Sequence, residues 1–201
     1  MTTRRLDSRL VSILVLVALA LAAALALWQY NARDVSGATA GGSGAYYIKF
    51  DGIDGEVADK DHKNWSNLSS FSQALSKNQS GKTGAMRRRG DVAFEEIVLV
   101  RELDKSSPKL AHAVAKGEVF PKVEIHVTAS YTDSGRVTYY AYELKNVQML
   151  SYSISGNSDV DSVPEEQVKL NFEEIKVTYT EVDSAGKSKG NIEYTWKVEE
   201  N

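Results

Sequence analysis

From Lys122 to Thr132 the chain alternates strictly, with Val123, Ile125, Val127, Ala129 and Tyr131 on one parity and Glu124, His126, Thr128 and Ser130 on the other. A period of two is the signature of a β-strand with one buried face, and no helix can present that pattern on a single side. Asp133-Ser134-Gly135 follows with turn chemistry. Arg136–Leu150 then resumes an extended pattern rich in Val, Tyr and Thr, so the pair is predicted to form a hairpin. Near the C-terminus Val168, Leu170 and Phe172 share one parity, whereas Ile175, Val177 and Tyr179 share the other. That one-residue phase change at Glu173-Glu174 predicts a β-bulge, which would bend the strand as closure into a barrel requires. Asp183–Gly190 reads as a turn before a last alternating strand through Ile192, Tyr194, Trp196 and Val198.

One helix interrupts the strands. Ser107 is predicted to cap it, Pro108 suits its first position, and Gly117 is placed to end it in the left-handed conformation. A helix this short is held by packing on a sheet rather than by its own propensity. The expected fold class is therefore all-β with one short helix: a β-barrel of two packed sheets with a flanking helix, preceded by an N-terminal hydrophobic helix.

That N-terminal helix is expected from Leu10–Trp28, a run without a charged residue that follows Arg4, Arg5 and Arg9. The run falls between a cleavable signal core and a full membrane span in length, and positive charge before it directs the rest of the chain across the membrane. Ser36–Gly44 is rich in Gly, Ser and Ala. Ala38-Thr39-Ala40 fits a small-x-small cleavage site, and the composition fits a flexible linker equally well. The organisation read here is a signal peptide or signal anchor over 1–35, a linker over 36–45 and a folded body over 46–201, in an exported protein at the cell surface or outside it. Export gives Asn64, Asn67 and Asn78 a second meaning, because each opens a glycosylation acceptor triplet.

Cysteine is absent, which excludes disulfides, thiolate metal sites and a Cys nucleophile. The net charge is −3, of which residues 1–44 carry +2 and the remainder −5. A mildly acidic body with interspersed charges argues against nucleic-acid binding. His62, His112 and His126 have no metal-ligand spacing and read as ordinary surface or partly buried side chains. Asp51-Gly52-Ile53-Asp54-Gly55-Glu56 lacks the closing Glu of a calcium loop and reads as turn chemistry. Glu95-Glu96 and Glu165-Glu166 point to opposite faces of extended segments. With no nucleophile motif, phosphate loop or dinucleotide fingerprint, no catalytic, cofactor-binding or metal-ligating residue is assigned.

Five blocks resemble the haemolysin-coregulated (Hcp) tube proteins of type VI secretion systems. They are Tyr47-Ile48-Lys49-Phe50-Asp51-Gly52-Ile53-Asp54-Gly55-Glu56 with His62-Lys63-Asn64-Trp65 and Ser70-Phe71-Ser72, then Leu103–Leu110, Ala115-Lys116-Gly117, Ser151–Gly156 and Leu170–Thr180. They occur in family order across almost all of 46–200. The resemblance implies a non-enzymatic subunit without cofactor, six copies closing into a ring, rings stacking into a hollow tube, and small protein effectors carried in the lumen. It also implies that the long loop after the first strand, roughly 66–90, reaches neighbouring subunits through Ser66, Asn67, Lys77, Asn78, Lys82, Arg87, Arg88 and Arg89. The leader departs from the family pattern, so an exported surface or extracellular tube is expected. A monomeric tethered or secreted binding module is the alternative, with the membrane as partner if the leader is uncleaved.

Overall fold

The computed structural model describes residues 44–77, 92–131, 134–159 and 163–198. Eleven strands and one helix lie among them: β1 (Ala45–Phe50), β2 (Ser66–Leu68), β3 (Ser70–Ser72), β4 (Leu75–Lys77), β5 (Val92–Phe94), β6 (Ile97–Glu102), α1 (Ser107–Lys116), β7 (Val119–Tyr131), β8 (Gly135–Ser155), β9 (Glu165–Asn171), β10 (Glu174–Val182) and β11 (Ser188–Lys197). The protein is thus mostly β with one short helix. The expected N-terminal hydrophobic helix over Leu10–Trp28 lies outside the described residues. Among the described residues no helix is long and apolar enough to cross a membrane.

β7 and β8 pair antiparallel as the alternation requires, with Tyr131 opposite Gly135 and Gly135 at a φ of 69°. Val123, Ile125, Val127 and Ala129 are buried along β7. β8 is the spine of the sheet. Its first part, 135–148, pairs with β7 on one edge, and Tyr140–Lys145 face β10 on the other. Its last part pairs with β9, from Gln148 opposite Asn171 to Ser155 opposite Glu165. β9 and β10 therefore run along one edge of β8 as two strands separated by Phe172 and Glu173.

The bulge expected at Glu173-Glu174 is not there. The ladder keeps count across this point, since Asn171 faces Gln148 and Glu174 faces Lys145. Both strands change face together instead. On β8 the buried parity passes from Leu144 to Val147 and Met149, with Asn146 at a φ of 50°. Alongside it the buried parity passes from Leu170 and Phe172 to Ile175 and Val177. Asn146 Nδ2 donates to Glu173 Oε2 at 2.5 Å across this corner. The irregularities lie elsewhere: Leu150 and Tyr139 on β8 are extra against β9 and β7, and Lys189 on β11 is extra against β10. One strand read alone cannot distinguish an inserted residue from a shared corner, because both look like a parity change.

The ladder order is β2-β1-β7-β8-β9-β6-β3, with β10 and β11 added beside β8. The expected barrel of two packed sheets is corrected here: nine of the strands form one sheet whose ladder does not close, and β4 and β5 pair as a separate two-stranded sheet. Its two end strands, β2 and β3, are consecutive in the chain. β2 pairs with β1 and β3 pairs with β6, and only Ser69 lies between them, donating its amide to the Val100 carbonyl at 2.8 Å. The corner and this handover bring both halves of the sheet around one core, which contains Ile48, Phe50, Val123, Ile125 and Leu144 from one half and Ile97, Leu99, Val168 and Leu170 from the other.

The helix lies on this core through Leu110 and Ala113. Its N-cap is Ser106 rather than the expected Ser107, with Pro108 in the first turn. Gly117, at φ 64° and ψ 37°, ends it as expected, and its amide returns to the Val114 carbonyl at 3.1 Å. The Asp-Gly segment forms the tight turn its chemistry suggests. Gly52 has a φ of 75°, and the Ile53 amide closes on the Phe50 carbonyl at 3.1 Å.

Candidate functional site

The residues singled out for subunit contact fall into three groups. Asn78, Lys82, Arg87, Arg88 and Arg89 lie outside the described residues. Asn67 and Lys77 are exposed, on β2 and at the end of β4. Ser66 faces inward: it is 3% exposed, and its hydroxyl donates to Asp104 Oδ2 at 2.6 Å. The described part of the segment expected to be one long loop, 66–77, is largely strand, since β2, β3 and β4 lie in it and β4 pairs with β5. Of the glycosylation candidates, Asn67 is exposed. Asn64 is half-buried at a φ of 65°, with its amide bonded to Val57 and its carbonyl accepting from Gly55 and from Lys49.

Three features were not found by reading the sequence. The first is an exposed apolar face. Ile192, Tyr194 and Trp196 on β11 are 73%, 45% and 36% exposed, and Tyr179 opposite Ile192 is 43% exposed. β11 pairs with β10 on one edge, and no strand among the described residues pairs with its other edge. The alternation of this segment was legible. That its apolar face would remain uncovered was not, because period two reports an apolar side and not what lies against it. Several adjacent apolar side chains left in water beside an open strand edge mark a contact surface.

The second feature is a buried ionic cluster that locks α1 to the sheet. Arg101 on β6 and Glu166 on β9 are register partners, 0% and 1% exposed. Arg101 Nε donates to Glu166 Oε1 at 2.5 Å, and Nη2 donates to Asp104 Oδ1 and Ser106 Oγ, each at 2.6 Å. The Tyr152 hydroxyl donates to Glu166 Oε2 at 2.6 Å. Burial, reinforced by this bond to Glu166, pushes the Tyr152 phenol up to about 12. Burial alone would raise the Asp104 pKa, but hydrogen bonds from Ser106 and Ser66 and the Arg101 charge hold it below the ordinary carboxylate value. The sequence block Leu103–Leu110 thus has a physical reason: Asp104, Ser106 and Ser107 are the groups that receive Arg101 where the helix begins.

The third is a histidine pair whose rings meet edge-on, with centroids 5.1 Å apart. His62, expected at the surface or partly buried, is 3% exposed. Its Nε2 lies 2.9 Å from His126 Nδ1, and its Nδ1 lies 3.0 Å from Asp59 Oδ1. Tyr47 stacks on it with ring centroids 4.3 Å apart, and Trp65 packs edge-on at 5.0 Å. No spacing rule could find a pair separated by 64 positions; β7 and the loop after β1 bring it together. His112 stays exposed on α1. Among the described residues no group of three or more His, Cys, Asp or Glu side chains is arranged to hold a metal ion.

A curled nine-stranded sheet, a two-stranded sheet, a docked helix, two interior polar clusters and one uncovered apolar edge define a small, mostly β-protein. The match to the family described as "Type VI secretion system effector, Hcp" covers residues 47–179, and the chain belongs to that family. The protein hcp1 of Pseudomonas aeruginosa is 28% identical over 156 residues, which are 77% of this chain and 95% of that protein. A solved type six secretion system protein superposes with a TM-score of 0.71 at 27% identity, over 78% of this chain and 96% of the other. Hcp1 from Salmonella typhimurium shares the fold at a TM-score of 0.64 and 24% identity, over 80% and 98% of the two chains.

Proposed function

We propose that this chain is a non-enzymatic structural subunit that closes into a homohexameric ring, with rings stacking into a hollow tube of the type VI kind. The observation that carries the reading is the uncovered apolar face of β10 and β11 on an open strand edge, in a member of this family. Within a single copy, Ile192, Tyr194 and Trp196 leave apolar area in water, and area removed from water stabilises an assembly by about 25 cal/mol per Å². A patch on one copy that meets a different patch on the next generates a ring when the rotation closes, and stacking of such rings needs only a second contact along the axis.

In this reading Asn67 and Lys77, with Asn78, Lys82, Arg87, Arg88 and Arg89, belong to the contacts between copies, and small protein effectors are the cargo of the lumen. Residues 46–201 form the ring-building body. The run Leu10–Trp28 is a hydrophobic helix that exports the chain or tethers it, with 36–45 as a flexible connection, so that rings form at the surface or outside the cell. Native mass measurement of purified residues 45–201 tests the proposal. A species of six copies supports it. A monomer from micromolar to millimolar concentration replaces it with the tethered or secreted binding module, in which the same apolar face receives another partner.

A further inference from the structure

We propose that Asp59, His62 and His126 form an acid-operated latch that holds the loop between β1 and β2 against the sheet. The two imidazoles meet nitrogen to nitrogen at 2.9 Å, so one must donate and the other accept. With Asp59 ionised, the proton on His62 Nδ1 is donated to that carboxylate, 3.0 Å away. His62 Nε2 then accepts from the N–H on His126 Nδ1. One added proton is accommodated: one ring then donates across the contact while the other carries its single proton on the far nitrogen and accepts. A second added proton leaves two N–H groups facing each other with no acceptor between them. The pair can carry one charge and not two.

The surroundings oppose that second charge. His62 is enclosed by the Tyr47 ring from β1, the Trp65 ring from its own loop and Thr138 Oγ1 at 3.4 Å from β8. Trp65 also lies on His126, with centroids 4.4 Å apart. The charged neighbours are Asp59 on the loop, Lys122 and Glu124 on β7, and Arg136 on β8, whose guanidinium donates to the Tyr47 hydroxyl and sits 5.6 Å from that ring. Burial, then the charge of His62, with Lys122 adding and Glu124 opposing, depresses the His126 pKa to about 4.

The two histidines differ in what they can do when the contact breaks. His126 is fixed in the middle of β7, paired with Tyr47 on one side and Ala141 on the other. His62 is on a loop held by a few bonds of its own: Gly55 amide to Asn64 carbonyl at 2.8 Å, Val57 amide to Trp65 carbonyl at 2.9 Å and Asn64 amide to Val57 carbonyl at 2.9 Å. The loop is therefore the part that lets go.

The test is amide hydrogen exchange on the full chain as a function of pH, corrected for intrinsic exchange rates. The amides of Gly55, Val57 and Asn64 are expected to lose protection by about tenfold or more below about pH 4, while those of Ile125 and Leu144 keep theirs. In His126→Asn, the side-chain amide takes up no proton and can turn to offer His62 Nε2 either a donor (Nδ2) or an acceptor (Oδ1), so the loop is expected to stay protected through the same range. Loop protection that persists to pH 3 in the unaltered chain overturns the proposal. So does loss at the same pH in His126→Asn, which would assign the effect to Asp59. Should that variant fail to fold, imidazole nitrogen shifts of the unaltered chain decide: two separate protonation steps, the second coinciding with loop exchange, support the latch, and simultaneous protonation of both rings overturns it.

Discussion

Arg101 and Glu166 face each other across β6 and β9 with their charged groups 2.5 Å apart and no measurable solvent around the arginine. Taking two charges out of water costs several kcal/mol each, and their attraction offsets this only while every partner stays in place. Removing one member strands the others. Arg101→Met is expected to destabilise the fold by about 3–5 kcal/mol, since Glu166 would remain buried without a cation and the half-buried Asp104 would lose its partner. Arg101→Met with Glu166→Met should recover part of that loss. Chemical denaturation midpoints of the two variants check the ordering, and a double variant worse than the single one would contradict it.

Asp104 makes the same cluster acid-sensitive. Its folded pKa lies below the ordinary value of 3.8, so the stability it contributes is complete above that pH and is lost as pH falls through the lower, folded value. Asp104→Asn is expected to lower stability at neutral pH and to flatten its dependence on pH below about 4. Thermal melting between pH 2.5 and 7 gives both slopes.

Gly55 has no room for a side chain. A Cβ there would lie 2.2 Å from Ser66 Oγ and 2.3 Å from the Trp65 carbonyl oxygen. Gly55→Ala is expected to cost about 2–3 kcal/mol because backbone has to move. Gly52→Ala meets no atom within 4 Å and bears only the strain of its positive φ, so about 1 kcal/mol is expected. Comparing the two melting temperatures checks the ranking.

Ile192 is the most exposed of the large apolar side chains named above, so Ile192→Lys should leave the melting of the isolated subunit within about 0.5 kcal/mol of the unaltered chain. Assembly is another matter. A lysine placed in the apolar contact between copies should shift the oligomer to monomer at micromolar concentration, read by sedimentation. Rings that persist unchanged would place the contact elsewhere.

Leu110 is fully buried and, with Ala113 and the half-buried Val114, rests α1 on the core. Leu110→Ala is expected to cost about 2–5 kcal/mol, as such truncations leave a cavity that relaxes only partly. Circular dichroism and denaturant midpoints together separate loss of the helix from loss of the whole fold.

Much of this fold could be read from one dimension. The period-two runs located β7, β8 and β11, and Pro108 with Gly117 bracketed α1 within a residue of its observed limits. What could not be read was everything decided by contact across the sequence. The corner at Asn146 and Glu173 looks like a bulge because a parity change on one strand carries no information about its neighbour. His62 looks like a loop histidine because His126, Tyr47 and Trp65 reach it only after β1 and β7 have paired. Arg101 follows four apolar residues in β6, and its partner Glu166 lies in another strand 65 positions away. Ile192 was legible as apolar, but nothing local states that its face stays open.

The single residue between β2 and β3 has a mechanical consequence. Because residues 66–72 hand over from β1 to β6 across Ser69 alone, the two ends of the sheet are tied by peptide bonds where no ladder joins them. Hydrogen bonds can be surrendered one at a time, whereas this tie yields only when a strand on one side peels away entirely. A pull on one flank of the sheet is thus transmitted to the other without slack.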